Sequence, residues 1–498
     1  MDGTTVIAAI ERFLESVMPQ AAPPSEAPKV IVDQRDKAKV PWSGACLVLA
    51  NSAADSAEAW CLVSELRPIR PDIHVLWDTS DGVARAFAHL KSGGFVVAFP
   101  ETGGEWSHTP ARILRWMAEE AIETPVIPVH ISGTDSPVEI RVGTPPPSRT
   151  LLDLPDDDAR TSHLRWRVES LAFRHWPRAH TRFGLSFWRG RPQLAEIAPG
   201  GDPDLIAAEV ERLGPGLVEC GDLSVHVARA SEIPHALLEI GRLREIAFRA
   251  DSEGTGRERD LDSFDQRYLH LFAWSRKARE IVGAYRLGLT ANATPRDLYS
   301  ATLFDYGPEF LARLGPAIEL GRSFIRPEYQ KSFAPLLALW KGIGRFVAEH
   351  PQYGTLFGPV SISSRYRLAS RQLMVACLER WASWQGLAQL VRERNPFPRG
   401  AAVAQARAVD LDQLSDVVAD SEPDGAGIPV LLRQYLKLGG KLLGFNIDED
   451  FSGVVDGLIV VDLMRTEPKL LARYLGQREA ESFLAFHHRV GEHTNGVA

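Results

Sequence analysis

Two mixed α/β blocks in series are the architecture that this chain of 498 residues predicts, and three observations carry it. Between Gly44 and Pro147, short apolar runs alternate with stretches of helical spacing. A Pro- and Gly-rich segment, Ile197–Pro203, then breaks the pattern. Past it a second alternation of strands and long helices begins. The length favours two or three domains, and the break divides the chain into residues 1–200 and 201–498.

The elements follow in order. Met1–Met18 carries acidic side chains among apolar positions spaced as on an amphipathic helix, and Gln20–Pro28, rich in Ala and Pro, reads as a linker. Ala45–Ala50, Ile73–Trp77, Phe95–Phe99 and Val126–Ile131 are apolar runs of strand length, with helical stretches at Ser80–Lys91 and Pro110–Glu123. This alternation predicts a mainly parallel sheet. Pro145–Pro147 closes the block, and a helical stretch around His163–His175 follows. In the second block Leu223–Ala228 and Glu280–Leu289 read as strands and Ile233–Arg249 as a helix. Pro327 opens a long helix, Tyr329–His350. Thr355–Ser361 is a strand, Arg367–Leu390 a second long helix, Pro429–Lys437 a third, and Val454–Asp462 a final strand.

Composition bounds the function. Apolar residues make up 45% and charged residues 24%, an ordinary soluble balance. The net charge of −8 gives no reason to expect nucleic-acid binding. Cys46, Cys61, Cys220 and Cys377 are scattered, so neither a zinc site nor a disulfide framework is indicated, and no metal is expected. The chain start has no continuous apolar core of a signal peptide, and no run approaches the roughly 18 apolar residues of a spanning helix. These features predict a cytoplasmic protein, peripheral on the inner face of a membrane.

Four patterns in the second block carry chemistry. Arg244 and Phe248 are four apart on a helix and share one face. Asp260, Asp262 and Asp265 form an acidic run. Arg286 ends the apolar strand Ile281–Leu287. Glu319 and Arg322 lie three apart in the apolar setting Ile318–Ser323. Taken singly these are a solvated loop, a surface arginine and a local ion pair.

Together, in this order, they resemble the N-acyltransferases that make lyso-ornithine and glycine lipids, within the GNAT-like superfamily that includes the acyl-homoserine-lactone synthases. The resemblance runs through LREIAFRADSEGTG, DLDSFD, HLFAW, IVGAYRLG, ELGRSFIRPEYQKS, LLALWKGIGRFV and LFGPVSIS to PVLLRQYLKLGGKLLGFNIDEDF, about Leu223 to Gly476. It implies a GNAT-like α+β domain in the C-terminal half and an enzyme, an N-acyltransferase. Such an enzyme moves a long, often 3-hydroxy, acyl chain from an acyl carrier protein thioester to the α-amine of an amino acid. No cofactor is implied, since the thioester is a co-substrate. Glu319 is the candidate for proton removal, with apolar neighbours raising its pKa. Arg322, Arg244 and Arg286 would orient it and bind carboxylates. Asp262 and Asp265 would order the substrate side, with Phe248 and Ser323 beside them. Ser252 stands where the family's GEGTG stretch begins with glycine. Trp340, with Arg326, Lys331, Lys341 and Arg345, would face the acyl chain and an acidic carrier, and Leu356, Phe357 and Gly358 would complete that side.

The first block, Gly44 to Gly143, resembles the glycerolipid acyltransferases that make phosphatidic acid, which use a histidine and an aspartate after a strand-end asparagine. Asn51 is kept, but Ser52 stands for the histidine and Glu58 for the aspartate. Phe99, Pro100 and Gly103 resemble the phosphate-binding FPxG segment. The expectation is a degenerate O-acyltransferase-like α/β domain with its base lost, His130 or His108 being the only substitutes in view. The whole chain then makes a lyso-aminolipid. Two alternatives stay open: a bifunctional synthase whose N-terminal domain also O-acylates the lyso-lipid, or an N-terminal module that only binds membrane or partner.

Overall fold

The computed structural model describes residues 29–54, 56–102, 105–133, 137–172, 194–399 and 410–495. The expected N-terminal helix, the linker Gln20–Pro28, Gly103 and the end of the stretch around His175 lie outside them. The chain forms two compact units, Met1–Arg178 with Ala401–Ile428, and Ala179–Gly400 with Pro429–Ala498. Residues 410–428 fall inside the second block in sequence but pack with the first. Asp420, at the end of the helix Leu411–Ser421, accounts for this. Its buried carboxylate takes Lys39 Nζ at 2.9 Å, Thr144 N at 2.8 Å and Thr144 Oγ1 at 2.8 Å.

In the first unit the strands are β1 (Val30–Val32), β2 (Cys46–Ala50), β3 (Ile73–Leu76), β4 (Phe95–Ala98), β5 (Val126–Ser132) and β6 (Val138–Val142), in the sheet order β1-β6-β5-β2-β4-β3. All neighbours are parallel except β5 with β6. Cys46, Val48 and Ala50 join one core cluster, and Leu47 and Leu49 another. Successive strand side chains leave on opposite faces, so both faces of β2 are covered. That is why it reads as an unbroken apolar run.

The second unit is an eight-stranded sheet: β7 (Val218–Cys220), β8 (Leu223–Arg229), β9 (Leu269–Ser275), β10 (Glu280–Leu289), β11 (Ala317–Ile325), β12 (Thr355–Ile362), β13 (Lys441–Asp448) and β14 (Val454–Asp462). Their order is β13-β14-β12-β11-β10-β9-β8-β7. Helix α1 (Pro234–Ala250) covers one face, packing Ile240, Leu243 and Phe248 with Phe272, Ala284 and Phe324. Helix α2 (Ala334–Glu349) covers the other, where a side chain at Gly342 would strike Val225 and come within 3.4 Å of Leu271. The long helices are shorter than the sequence reading. The one expected at Tyr329 starts at Ala334, after a 3₁₀ turn at Pro327–Tyr329, and the one expected to reach Leu390 ends at Trp381.

One junction departs from the antiparallel rule. Strands β11 and β12 run parallel and pair over only Ala317↔Thr355, Ile318↔Leu356 and Glu319↔Phe357. Beyond that point β11 stays with β10 and β12 with β14, so the sheet opens into a notch. Gly358 sits where it opens: a Cβ there would lie 2.0 Å from Leu320 O, which leaves room for glycine alone.

Candidate active site

A buried ionic frame is built first. Arg244 on α1 bonds both oxygens of Asp265, Nη2 to Oδ1 at 3.0 Å and to Oδ2 at 3.1 Å, and its Nε donates to Asp260 O at 3.1 Å. Arg286 on β10 meets Asp262 at 2.7 Å and Asp265 at 3.4 Å. Asp262 caps the 3₁₀ turn Ser263–Gln266, with Asp265 closing the capping box, so the acidic run is a folded turn rather than a solvated loop. Burial pushes the Asp265 carboxyl up, but the charges of Arg244 and Arg286 outweigh it and hold the group below the usual range. The guanidinium of Arg286 also lies over the rings of Tyr299 and Tyr268, at 4.9 and 5.4 Å.

Glu319 is buried on β11, as expected, but not among apolar groups. Its Oε2 accepts from the Tyr268 hydroxyl and from Tyr299 N at 3.0 Å, and its Oε1 from Ser300 N at 2.7 Å. Burial and the charge of Glu319 push the Tyr268 hydroxyl well above its usual range, so it stays a donor. Three of the carboxylate's roughly four acceptor positions are therefore taken. No arginine reaches Glu319 among the described residues. Arg244 and Arg286 are spent on aspartates, so the expectation that arginines orient Glu319 is corrected, as is that of apolar surroundings.

Arg322 comes to the same face by a bulge. Ala284 pairs with Phe324 and Arg286 with Gly321, so Tyr285 opposes two residues, Arg322 and Ser323. In a regular strand Glu319 and Arg322, three apart, would point to opposite faces. The extra residue returns Arg322 to the face of Glu319, at φ +48°, a backbone strain of order 1 kcal/mol. Its guanidinium is held between the rings of Tyr299, at 5.0 Å, and Phe451, at 4.6 Å. Its Nε is 3.6 Å from Asp260 Oδ2 without a hydrogen bond. Phe248 supports this from below, edge-on to Phe451 at 5.0 Å.

Three carboxylates that the sequence reading passed over feel the charge of Arg322. Glu253 follows α1 in a loop that Glu245 clamps, taking Thr255 N at 3.1 Å, Thr255 Oγ1 at 2.8 Å and Gly256 N at 2.8 Å. Ser252, in the glycine's place, has φ +61°, which is the conformation that favours glycine there. Asp456 on β14 is 4% exposed and accepts from Ser361 Oγ on β12 at 3.1 Å, and Asp448 ends β13. Burial, then the charge of Asp456, pushes Glu253 up to about 8. Burial, then the charge of Asp448, pushes Asp456 up to about 7, although Ser361 and Arg322 oppose it. Burial also raises Asp448, again against Arg322. Among the described residues none of the three is ion-paired. The one visible signal was an aspartate inside the apolar run Val454–Val461.

The other expected residues fall elsewhere. Ser323 turns to the Tyr285 side and Trp340 packs against Tyr435 and Tyr474 at 5.1 and 5.6 Å, both away from the ionic frame. Arg326 is paired with Glu280, and Arg345 with Glu349 and Glu479, so both are neutralised by the chain itself. Lys331 and Lys341 make no ion pair among the described residues. Those residues hold no group of three or more metal-ligand side chains and no helix long and apolar enough to cross a membrane.

In the first unit the expected motif is tied up. Asn51 bonds the backbone of Ile131 twice, at 2.6 and 3.1 Å. Ser52 Oγ meets Ser56 Oγ at 2.7 Å, and Ser56 caps the helix Ala57–Leu66. Glu58 is therefore not the partner of Ser52. Phe99 and Pro100 are buried. Burial, then the charge of Arg141, pushes His130 down to about 4, and His108 bonds Thr161.

Residues 243–341 match the model of the acetyltransferase (GNAT) domain. The glycine N(alpha)-acyltransferase of Bacteroides thetaiotaomicron is 28% identical over 287 residues, 53% of this chain and 82% of that protein. A glycine N(alpha)-acyltransferase of Phocaeicola vulgatus is 34% identical over 172 residues, 31% of this chain and 52% of that protein. The L-ornithine N(alpha)-acyltransferase of Brucella abortus is 26% identical over 266 residues, 51% of this chain and 89% of that protein. A solved CoA-dependent acyl-homoserine lactone synthase aligns at 14% identity and TM-score 0.27, covering 51% of this chain and 89% of its own. The C-terminal half carries a GNAT domain, and the chain is an acyltransferase.

Proposed function

We propose that this acyltransferase moves a long acyl chain from a thioester to the α-amine of an amino acid, with glycine and ornithine the first acceptors to try. The observation that carries the reading is the agreement of three relatives, each an N(alpha)-acyltransferase of an amino acid, over 53%, 31% and 51% of the chain. The geometry accords with it. The notch between β11 and β12 offers unpaired backbone edges to an extended acyl donor, with Leu356, Phe357 and Gly358 at its root. Arg322 stands on the notch side of β11 as a cation for the acceptor's carboxylate.

Roles divide accordingly. Arg244, Arg286, Asp262 and Asp265 pair with one another and form a rigid frame. Glu319 belongs to that frame as a positioning residue, because it fixes Tyr299, on whose ring Arg322 rests. Trp340 and Ser323 lie on the donor side. The donor we propose is an acyl carrier protein thioester carrying a long, 3-hydroxy or plain, chain, with Lys331 and Lys341 available to an acidic carrier. The lipid product places the enzyme at a membrane surface, inside the cell. For the first unit we favour a non-catalytic, glycerolipid-acyltransferase-like module, because Ser52 and Ser56 satisfy each other and His130 is too weak a base. A bifunctional synthase remains the second reading, through a base not yet identified.

The experiment is direct. The purified full chain, given a long-chain acyl carrier protein thioester and single amino acids, should form the N-acyl amino acid, detected by mass spectrometry. Absence of an amide with every amino acid would overturn the reading.

A further inference from the structure

Glu253, Arg322, Ser361, Asp448 and Asp456 come from four strands and one loop, yet hydrogen bonds and ring contacts gather them: Ser361 pairs with and bonds Asp456, Ser363 and Ser452 hold the loop of Glu253 through Asp251 O and Gly254 O, and Arg322 lies on Phe451, next to Ser452. Two guanidinium groups are near, Arg365 beside Asp251 and Arg322 beside Asp260, each at 3.6 Å, and among the described residues no cation pairs with Glu253, Asp448 or Asp456. The unmatched charge is negative, so what would complete the group is a small cation. An α-amino acid zwitterion carries its ammonium one carbon from its carboxylate, which matches unpaired acids with Arg322 nearby.

We propose that Asp456 and Glu253 receive the acceptor's ammonium group and take its proton, while Arg322 holds the carboxylate of the same molecule. The inference rests on the reading above, acyl transfer to an amino acid, and deepens it by naming the base. Glu319 has little capacity left for that task, with three donors already bound. Among the described residues the Asp456 carboxylate has a single hydrogen bond, from Ser361. The groups that face the pair are Asp448, Asp251, Arg365 and Arg322. With these neighbours and with burial, Asp456 at about 7 and Glu253 at about 8 can each take and return a proton near neutrality.

The step balances. The ammonium loses one proton to a carboxylate and becomes an amine. The nitrogen attacks the thioester carbonyl carbon, a C–N bond forms, and the C–S bond breaks. The nitrogen's second proton goes to the departing sulfur, giving an amide and a free thiol. The carboxylic acid then releases its proton to water.

The test compares two acceptors in the full-length enzyme at neutral pH. Glycine arrives as an ammonium, whereas aminooxyacetate carries a similar carboxylate and an amine already uncharged. Asp456→Asn and Glu253→Gln should each lower kcat/KM for glycine, Asp456→Asn by about 10²–10³-fold, and aminooxyacetate by less than about 10-fold. The pH limb of the glycine reaction near 7 should vanish in Asp456→Asn and return in Asp456→Glu. Equal losses on both acceptors, or an unchanged limb, would overturn the proposal while acylation by the wild type keeps the functional reading. If the wild type acylates neither of these nor ornithine nor any other amino acid, both fall. Melting curves check folding, and should Asp456→Asn fail to fold, the half-buried Glu253→Gln decides alone.

Discussion

The two units treat their polar residues differently. In the first, the residues standing where a catalytic pair is expected are absorbed by the fold: Asn51 staples two strands through Ile131, and Ser52 and Ser56 bond each other beside a helix cap. In the second, the frame of Arg244, Asp265 and Arg286 is equally saturated, but beside it Arg322 lies between two rings, Asp456 has one side-chain hydrogen bond, and among the described residues neither Asp456 nor Glu253 is ion-paired. The difference teaches that resemblance in motif is a weaker guide to a working site than residual bonding capacity. A buried charge left short of partners costs free energy, and a fold keeps it where a ligand supplies the missing partner.

Substitutions can break or sharpen that contrast. The largest effect should come from the frame. Arg244→Ala leaves Asp265 buried with half its partners, and breaking a buried pair costs about 3–5 kcal/mol. Urea unfolding should show that loss, and a shift below about 1 kcal/mol would mean that the frame is soft.

Next comes the open cluster, read through pH. Asp456 titrates higher in the folded chain than unfolded, near 7 against 3.8, so the folded state holds a proton that the unfolded state has lost. Stability should therefore fall as pH rises from about 4 to about 7, by about 1.4 kcal/mol per unit of displacement. Asp456→Asn should flatten that part of the curve. An identical pH dependence of Tm in wild type and variant would show that Asp456 is not displaced.

Glu319→Gln should have a smaller effect. The amide keeps one acceptor oxygen but turns donors toward Ser300 N, so we expect roughly a 10-fold fall in kcat, near 1.4 kcal/mol, with the pH limb intact. Loss of that limb would instead return the base role to Glu319. Smallest of all, Ser52→Ala in the first unit should leave acyl transfer unchanged and shift stability by about 1 kcal/mol or less. Lost activity there would revive the two-reaction enzyme.

Much of the fold was legible because its signals are local. Strand β2 is buried on both faces and reads as an apolar run, and α1 shows its helical spacing. Strand β11 was visible only as a motif, since the bulge at Arg322 and Ser323 breaks the two-residue alternation that marks a strand. The helix from Leu368 overran to Leu390 in sequence because nothing local announces that Ser383 bridges to Leu442. In the site, Arg244, Asp265 and Arg286 were picked out by spacing and resemblance, although their partners were misassigned. Glu253 and Asp456 lie some 200 residues apart in sequence. Only the sheet order and the docking of the loop after α1 on Ser363 and Ser452 bring them together, so no local pattern could have paired them.

The three residue pairs joining β11 to β12 have a mechanical consequence. A sheet is as stiff as its weakest seam, and here five strands on one side meet three on the other across a seam shorter than any strand pairing of β10 or β14. The two panels can flex about that seam as a book flexes about its spine. Arg322 belongs to one panel and Asp456 to the other, so their spacing is set by the opening angle rather than by either panel alone. A donor laid along both free edges would act as a clasp, stiffening the spine and setting the gap that the acceptor enters.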